Sequence, residues 1–421
     1  MRNSRLMALL LALILTAPVW AEEAVGDNPP PFEYAWATAY HILPETTSDE
    51  SGYFALSEGL NHRMYVGTAK YGENSFLVEF DPKTEKQRIV VDVHKLCGIA
   101  PDVKGYAAQA KIHTRSFVGP SGVIYIGSKQ GYRLGPDDTA DYPGGYVMTY
   151  DPKTDTAESL GVPYPGQGVI DTVADETHDL IYIVTCEEQH WMTYDVAKKE
   201  YHDLKVSLTP YATTLVDHKG RANAITNAFR MARHDPTTGK TTLHDIMIDG
   251  EKWEQSGRNA IPTWQLAADG RTAYLVLMNE ANLYRLDIGG EEPVVHGTKI
   301  GSFIDMPKPD TRCALSIAPD GRVYALIRVN NNTGFGGGTL HFLLRYTPET
   351  YTFENLGVLA VKNPDFYDFA AKKPWSHGYH TLPDGTLTPL HSHMALVVGH
   401  DHTVWVTILH PFSLLKIDPI P

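Results

Sequence analysis

Apolar and polar positions alternate in short runs along this chain, and at seven places a run closes on Asp or on Thr-Pro: Phe80-Asp81-Pro82, Tyr150-Asp151-Pro152, Tyr194-Asp195, His234-Asp235-Pro236, Leu286-Asp287, Tyr346-Thr347-Pro348 and Ile417-Asp418-Pro419. Alternation with period two marks half-buried strands, and regular punctuation marks an internal repeat. The clearest unit reads Arg312 to Ile317, the turn Asp320-Gly321, Val323 to Ile327, Phe342 to Tyr346, then Phe353 to Leu359. The same order recurs around Met64-Tyr65-Val66, Ile124-Tyr125-Ile126, Ile181-Tyr182-Ile183, Ala273-Tyr274-Leu275 and Val404-Trp405-Val406. Four short strands per unit, repeated at roughly 45 to 80 residues, predict an all-β fold, a seven-bladed β-propeller. A pair of sandwich sheets fits less well, because the strand groups repeat in order. The last unit lacks an outer strand after Leu414 to Ile417, and Thr38 to Leu43 can supply it. A propeller closed by that N-terminal strand has no open edge.

Length alone, 421 residues, suggests two or three domains, but the repeat predicts a single β-propeller domain over residues 22–421. Ahead of it, Arg2 and Arg5, the apolar stretch Leu6 to Thr16 and Val19-Trp20-Ala21 read as a signal peptide over residues 1–21. No later apolar run is long enough to span a bilayer, so the expected location is exported, periplasmic or extracellular. Three cysteines, Cys97, Cys186 and Cys313, allow at most one bridge. A formal net charge of −14 argues against a nucleic-acid partner.

In a propeller, inner strands start and second strands end on one face around the central channel. That rule collects His113, Lys129, Tyr132, Arg133, His190, Tyr211, Arg258, Trp264, Arg312, Arg328, His391, His393 and His410 on one face. The face is cationic on an acidic chain, as an anionic ligand requires; ion pairs with neighbouring carboxylates would account for the arginines equally well. His113, expected to begin an inner strand, is a candidate general base or acid. Gly131-Tyr132-Arg133 adds a phenol and a cation beside it. His391 and His393, two apart on a strand, point to one side. With Cys313 and either His377 or His380 they can form a tetrahedral set for a structural Zn2+, or they can be hydrogen-bonded histidines around a polar channel.

At these residues the chain resembles the exported β-propeller polysaccharide lyases that cleave ulvan, a sulfated, uronate-containing polysaccharide. The resemblance is carried by Lys111-Ile112-His113, Tyr142-Pro143-Gly144-Gly145 with Tyr150-Asp151-Pro152, Arg312-Cys313-Ala314 and Pro411 to Leu415. It implies an acidic polysaccharide as partner and β-elimination as the reaction. The His matching His113 would take part in proton transfer, aided by a second His, a Tyr and an Arg that neutralises the uronate. The chain departs from that pattern twice. Gly127-Ser128-Lys129 stands where a His is expected, and Tyr211-Ala212-Thr213-Thr214 where an Arg is expected, leaving Lys129, Arg133 or Arg230 as substitutes. The expected roles are therefore His113 in proton transfer, Tyr132 or Tyr211 as its partner and Arg133 in charge neutralisation. Lys129, Arg258, Trp264 and Arg312 are expected to bind substrate. A noncatalytic propeller holding an anionic glycan or a protein is the alternative, and a redox propeller with a metal or quinone is a third reading.

Overall fold

The punctuation is a hairpin. In the turn after Asp81 the Asp81 Oδ1 accepts the Lys83 amide at 2.9 Å, and Glu85 closes the turn onto the Asp81 carbonyl at 2.8 Å. Glu85 adopts a left-handed φ of 56°. Asp151 and Asp155 repeat the arrangement, with the Lys153 amide at 2.9 Å and φ 56° at Asp155. Those amides hold the Asp81 and Asp151 carboxyls below the usual range. Short Asx-type turns of this kind are set by local chemistry, so they recur wherever the Asp recurs.

The computed structural model describes residues 29–48, 54–312, 314–366, 378–390 and 395–419. The expected signal peptide, Cys313, His377, His391 and His393 lie outside them. Each punctuated run is the third strand of an antiparallel meander: Phe76–Asp81, Val147–Asp151, His190–Asp195, Met231–Asp235, Asn282–Asp287, Thr339–Thr347 and Ser413–Ile417. In the first unit the order is Leu56–Glu58, Met64–Gly67, Phe76–Asp81, Lys86–Asp92, all antiparallel neighbours.

Two departures from independent sheets appear at the outer edges. Outer strand Lys240–Ile248 runs parallel to outer strand Val294–Ser302, with Asp245 opposite Val294. Strand Tyr34–His41 pairs antiparallel with Ser413–Ile417, Ala37 opposite Ile417, and parallel with Thr352–Val361, Tyr34 opposite Val358. This strand starts at Tyr34, ahead of the expected Thr38. The added turn of backbone pairing covers edges that would otherwise offer free N–H and C=O groups.

The core lies between neighbouring sheets. Tyr65 and Leu77 of the first unit pack with Ile112, Ile124, Ile126 and Tyr150 of the second. Polar groups are threaded through that interface: Tyr65 donates to Glu79 at 2.8 Å, Arg88 Nε donates to Glu79 at 2.7 Å, and Arg88 reaches Asp155 at 2.9 Å. The first strand of each meander faces a shared central channel of about 460 Å³, whose walls include Leu56, Val118, Asp171, Val216, Leu266, Leu315 and Val398.

Candidate functional site

His113 does not begin a strand; it sits in a break within one. Lys111 pairs with Lys129 and Ile112 with Ser128, after which the ladder resumes only at Phe117 opposite Tyr125 and Val118 opposite Ile124. Four residues, 113–116, therefore oppose two, Ile126 and Gly127, which makes a bulge that re-aims side chains. Thr114 Oγ1 replaces the missing ladder by accepting the Gly127 amide at 3.0 Å and donating to the Gly127 carbonyl at 3.3 Å. Arg115 is carried into a bridge with Asp171 on the next inner strand.

A second layer fixes this bulge. The Gln109 amide donates to His94 Nε2 at 3.1 Å, and its side-chain oxygen accepts from Ser128 at 2.7 Å and Tyr142 at 2.6 Å. Burial depresses the His94 imidazole below its ordinary range, in keeping with a neutral acceptor nitrogen. At Gly145 an added Cβ would lie 2.0 Å from the Ser128 carbonyl. Only glycine permits that approach, which explains the residue type within Tyr142 to Gly145.

Above the bulge lies a cavity of about 500 Å³ lined by Phe54, Tyr106, Lys111, His113, Arg115, Lys129, Gln130, Gly131, Tyr132, Ile170, Glu187, Tyr211, Thr213, Ile261, Pro262, Thr263, Met278 and Arg312. Four cationic side chains and one carboxylate thus face one space in a chain of net charge −14. The His113 ring meets Phe54 edge-on at 4.8 Å and lies 6.3 Å from the Tyr211 ring. His113 is only 5% exposed whereas Tyr211 is 42% exposed, so the imidazole forms the wall and the phenol reaches into the opening. Tyr211 holds a left-handed φ of 58°, a conformation uncommon for a bulky residue and worth about 1–2 kcal/mol of strain. On the other side Tyr132 stacks on Tyr71 at 4.9 Å, and the Lys111 ammonium lies 4.4 Å and 4.5 Å from those ring centres. Lys129 pairs with Glu187 at 2.9 Å, and Arg312 Nε with Asp310 at 3.0 Å.

Several expected residues are placed elsewhere. Arg133, expected to neutralise charge in the site, is outside the lining: its guanidinium lies over Tyr106 at 4.1 Å and donates to the Ala140 carbonyl at 3.0 Å. Trp264 is fully buried in an apolar cluster and its indole N–H donates to Thr213 at 2.8 Å, so it supports the wall and presents no face to a ligand. Arg258 lies exposed on the short helix Gly257–Ala260 and is not in the lining itself, although its carbonyl accepts the amide of the lining residue Ile261 at 3.3 Å. Arg230 is engaged with Asp245 at 2.8 Å on the outer strands. His190 stacks on Tyr164 at 4.0 Å. His380, the described member of the expected metal set, donates from Nε2 to the Thr339 carbonyl at 3.2 Å.

Lys111, Arg115 and Glu187 had no role assigned from the sequence. Lys111 was legible in principle, since a residue two before His113 on a strand shares its face. Below the cavity, in the channel, lies Asp171, fully buried, with Oδ2 accepting the Thr214 amide at 2.7 Å and no hydrogen bond at Oδ1. Burial pushes this carboxyl up to about 7, against the pull of the Thr214 amide and of Arg115.

No family model and no curated protein matches the chain. Solved structures do. The extracellular domain of a proposed one-component system from B. thetaiotaomicron superposes with a TM-score of 0.52 at 11% identity, over 91% of this chain and 40% of that one. The extracellular domain of a proposed hybrid two-component system from the same organism gives 0.50 at 13%, over 93% and 41%. The β-propeller domain of Cps50 (Swd1) from Myceliophteria thermophila gives 0.51 at 11%, over 92% and 100%. This chain therefore spans about two-fifths of the first two and the whole of the third. No helix among the described residues is long and apolar enough to cross a membrane. Identities this low speak to architecture alone, and the architecture they share with this chain is the β-propeller.

Proposed function

We propose that this β-propeller is an exported lyase acting by β-elimination on an acidic, uronate-containing polysaccharide, sulfated or not. The observation that carries the reading is the meeting of an imidazole, two phenols and four cations, His113, Tyr132, Tyr211, Lys111, Arg115, Lys129 and Arg312, in one cavity. Lys111, Lys129 and Arg312 take over the neutralising task first expected of Arg133. Their charge withdraws electron density from the carboxylate and acidifies the neighbouring C–H. His113 accepts that proton, the electron pair forms a carbon–carbon double bond, the bond to the glycosidic oxygen breaks, and Tyr211 donates a proton to the departing oxygen. Tyr132, over Lys111, gives a sugar ring a flat surface at the rim.

The test is incubation with ulvan and other uronate polymers, following the ultraviolet absorbance of unsaturated ends. Product should form, and His113→Ala should lower its rate by on the order of 10²–10⁴. Folded protein that gives no such product from any uronate polymer overturns the lyase reading. Retention on the immobilised polymer without turnover, unchanged in His113→Ala, assigns the cavity to glycan binding instead.

The same proposal takes the architecture as seven blades with Tyr34–His41 as the closing outer strand, and residues 1–21 as a signal removed on export. It also keeps a structural Zn2+ at Cys313, His391, His393 and His380, a donor set whose four protein ligands leave no open position.

A further inference from the structure

The end of the channel away from the cavity holds a second constellation. Phe54 lines the cavity, and the inner strand that follows it, Leu56–Glu58, ends on a carboxylate in the channel wall. Glu58 Oε1 lies 2.6 Å from His400 Nδ1 and 3.9 Å from His62 Nδ1, and the two imidazoles stack at 3.5 Å with 23° between their planes. Both rings thus turn the same nitrogen toward one oxygen. Glu58 Oε2 is pinned by the His400 amide at 2.7 Å, which fixes the carboxylate so that a single oxygen faces the rings. Gly399 leaves the space for it, since an added Cβ would lie 3.3 Å from both Glu58 oxygens.

The backbone singles out one of the three, His62. The turn that joins the first two strands of a unit closes by an i to i+3 hydrogen bond onto a residue in the left-handed region. In four units that residue is glycine: Gly122, Gly220, Gly270 and Gly321. In the first and last units it is histidine, His62 with φ 61° and His402 with φ 65°. A side chain at that position carries a backbone cost that glycine avoids. Two of the turns thus place histidine where four others use glycine, and they face each other across the join of the first and last units; the His62 ring meets His400, whereas the His402 ring turns to Asp320 at 3.6 Å.

We infer that Glu58, His62 and His400 form a divalent transition-metal site of Zn2+ type that staples the first unit of the ring to the last. One nitrogen or oxygen from each can be chosen so that all three lie within 4.8 Å of one another. Tetrahedral Zn2+ with bonds of about 2.0–2.2 Å needs donors about 3.3 Å apart, between the two spacings present, and on binding the two stacked rings splay so that both in-plane nitrogen lone pairs meet the ion. Two imidazoles and a carboxylate suit Zn2+ over the harder Ca2+ or Mg2+. Water takes the fourth position. Because the ligands come from opposite ends of the chain, the metal holds together segments that no short loop connects, and its binding energy adds to the stability of the closed ring.

The experiment uses the full folded chain, stripped with a chelator and titrated with Zn2+ by calorimetry, alongside thermal unfolding with and without the metal. Wild type should bind and unfold at a higher temperature with Zn2+. His400→Ala should weaken this site's affinity at least tenfold. His62→Gly should raise the unfolding midpoint of metal-free protein, by relieving the left-handed histidine, and abolish the rise due to Zn2+ at this site. Zn2+ binding with unchanged stoichiometry and affinity in both variants would place the metal at other ligands and overturn the inference. Absence of any Zn2+ binding to wild type would do the same. Neither outcome depends on whether the cavity at the other end cleaves polysaccharide.

Discussion

Tyr211 separates stability from chemistry at a single position. Its left-handed backbone strains a side chain that reaches into the cavity beside His113. Tyr211→Gly should therefore leave stability unchanged or raise it by up to about 1 kcal/mol in a denaturant titration, while abolishing the phenol's contribution to turnover. Tyr211→Phe should retain the strain and lose the proton donor, with kcat falling and KM little changed. Asp171 gives a second residue-scale prediction. Its carboxyl is pushed up to about 7 by burial, against about 3.9 in an unfolded chain. The folded state thus holds the proton more tightly, so this group's contribution is greatest below about pH 4 and is lost as pH rises toward 7. Asp171→Asn should flatten that part of the stability profile, as read by thermal unfolding across pH. The grouping at the cavity was partly legible in the sequence: His113, Tyr132 and Tyr211 follow from their place in the repeat, and all three line it. Arg115 was not legible because only the break in the ladder shows where it points, whereas Lys111 lies in the regular ladder before the break.

Among elements, the hairpins that follow Asp81 and Asp151 were readable because an Asp side chain and a left-handed residue four positions on build them locally. The bulge at residues 113–116 was not, because it exists only in the mismatch between one strand and its partner. It rests on Thr114, and Thr114→Val should remove both side-chain bonds to Gly127, costing about 1–3 kcal/mol of stability. A shift of His113 would follow, visible as lost turnover in protein that still folds. The interface between the first two units makes a different prediction. Arg88, Tyr65 and Arg63 hold the Glu79 carboxyl below its usual range against the cost of burial. Its stabilisation is present above about pH 4.3 and disappears as pH falls through the depressed folded value. Glu79→Gln should destabilise the chain at neutral pH by about 2–3 kcal/mol, with Arg88 left short of its partner, and the difference from wild type should shrink on acidification. The pairing of outer strands between units had no sequence signal, since parallel neighbours come from remote parts of the repeat.

For the whole molecule, the contrast between an acidic chain and a cationic cavity sets how a polyanion is met. Within a Debye length of the surface, about 30 Å at 0.01 M salt, an approaching polyanion meets the net charge of −14; inside the cavity it would meet Lys111, Arg115, Lys129 and Arg312. Added salt should quicken encounter while speeding departure more, so surface-plasmon measurements on a uronate polymer should show affinity falling although the association rate rises. A uniformly attractive surface would slow association instead.

Strand Tyr34–His41 finds its antiparallel partner only at Ser413–Ile417. During synthesis this strand must therefore wait for Ser413–Ile417, and every unit between them is made before the two can meet. Folding of this topology cannot finish on the ribosome until residue 417 has been made. Such a protein has a built-in delay: it stays threadable until Ser413–Ile417 appears, and truncation near residue 413 leaves the opening strand with its parallel partner Thr352–Val361 alone.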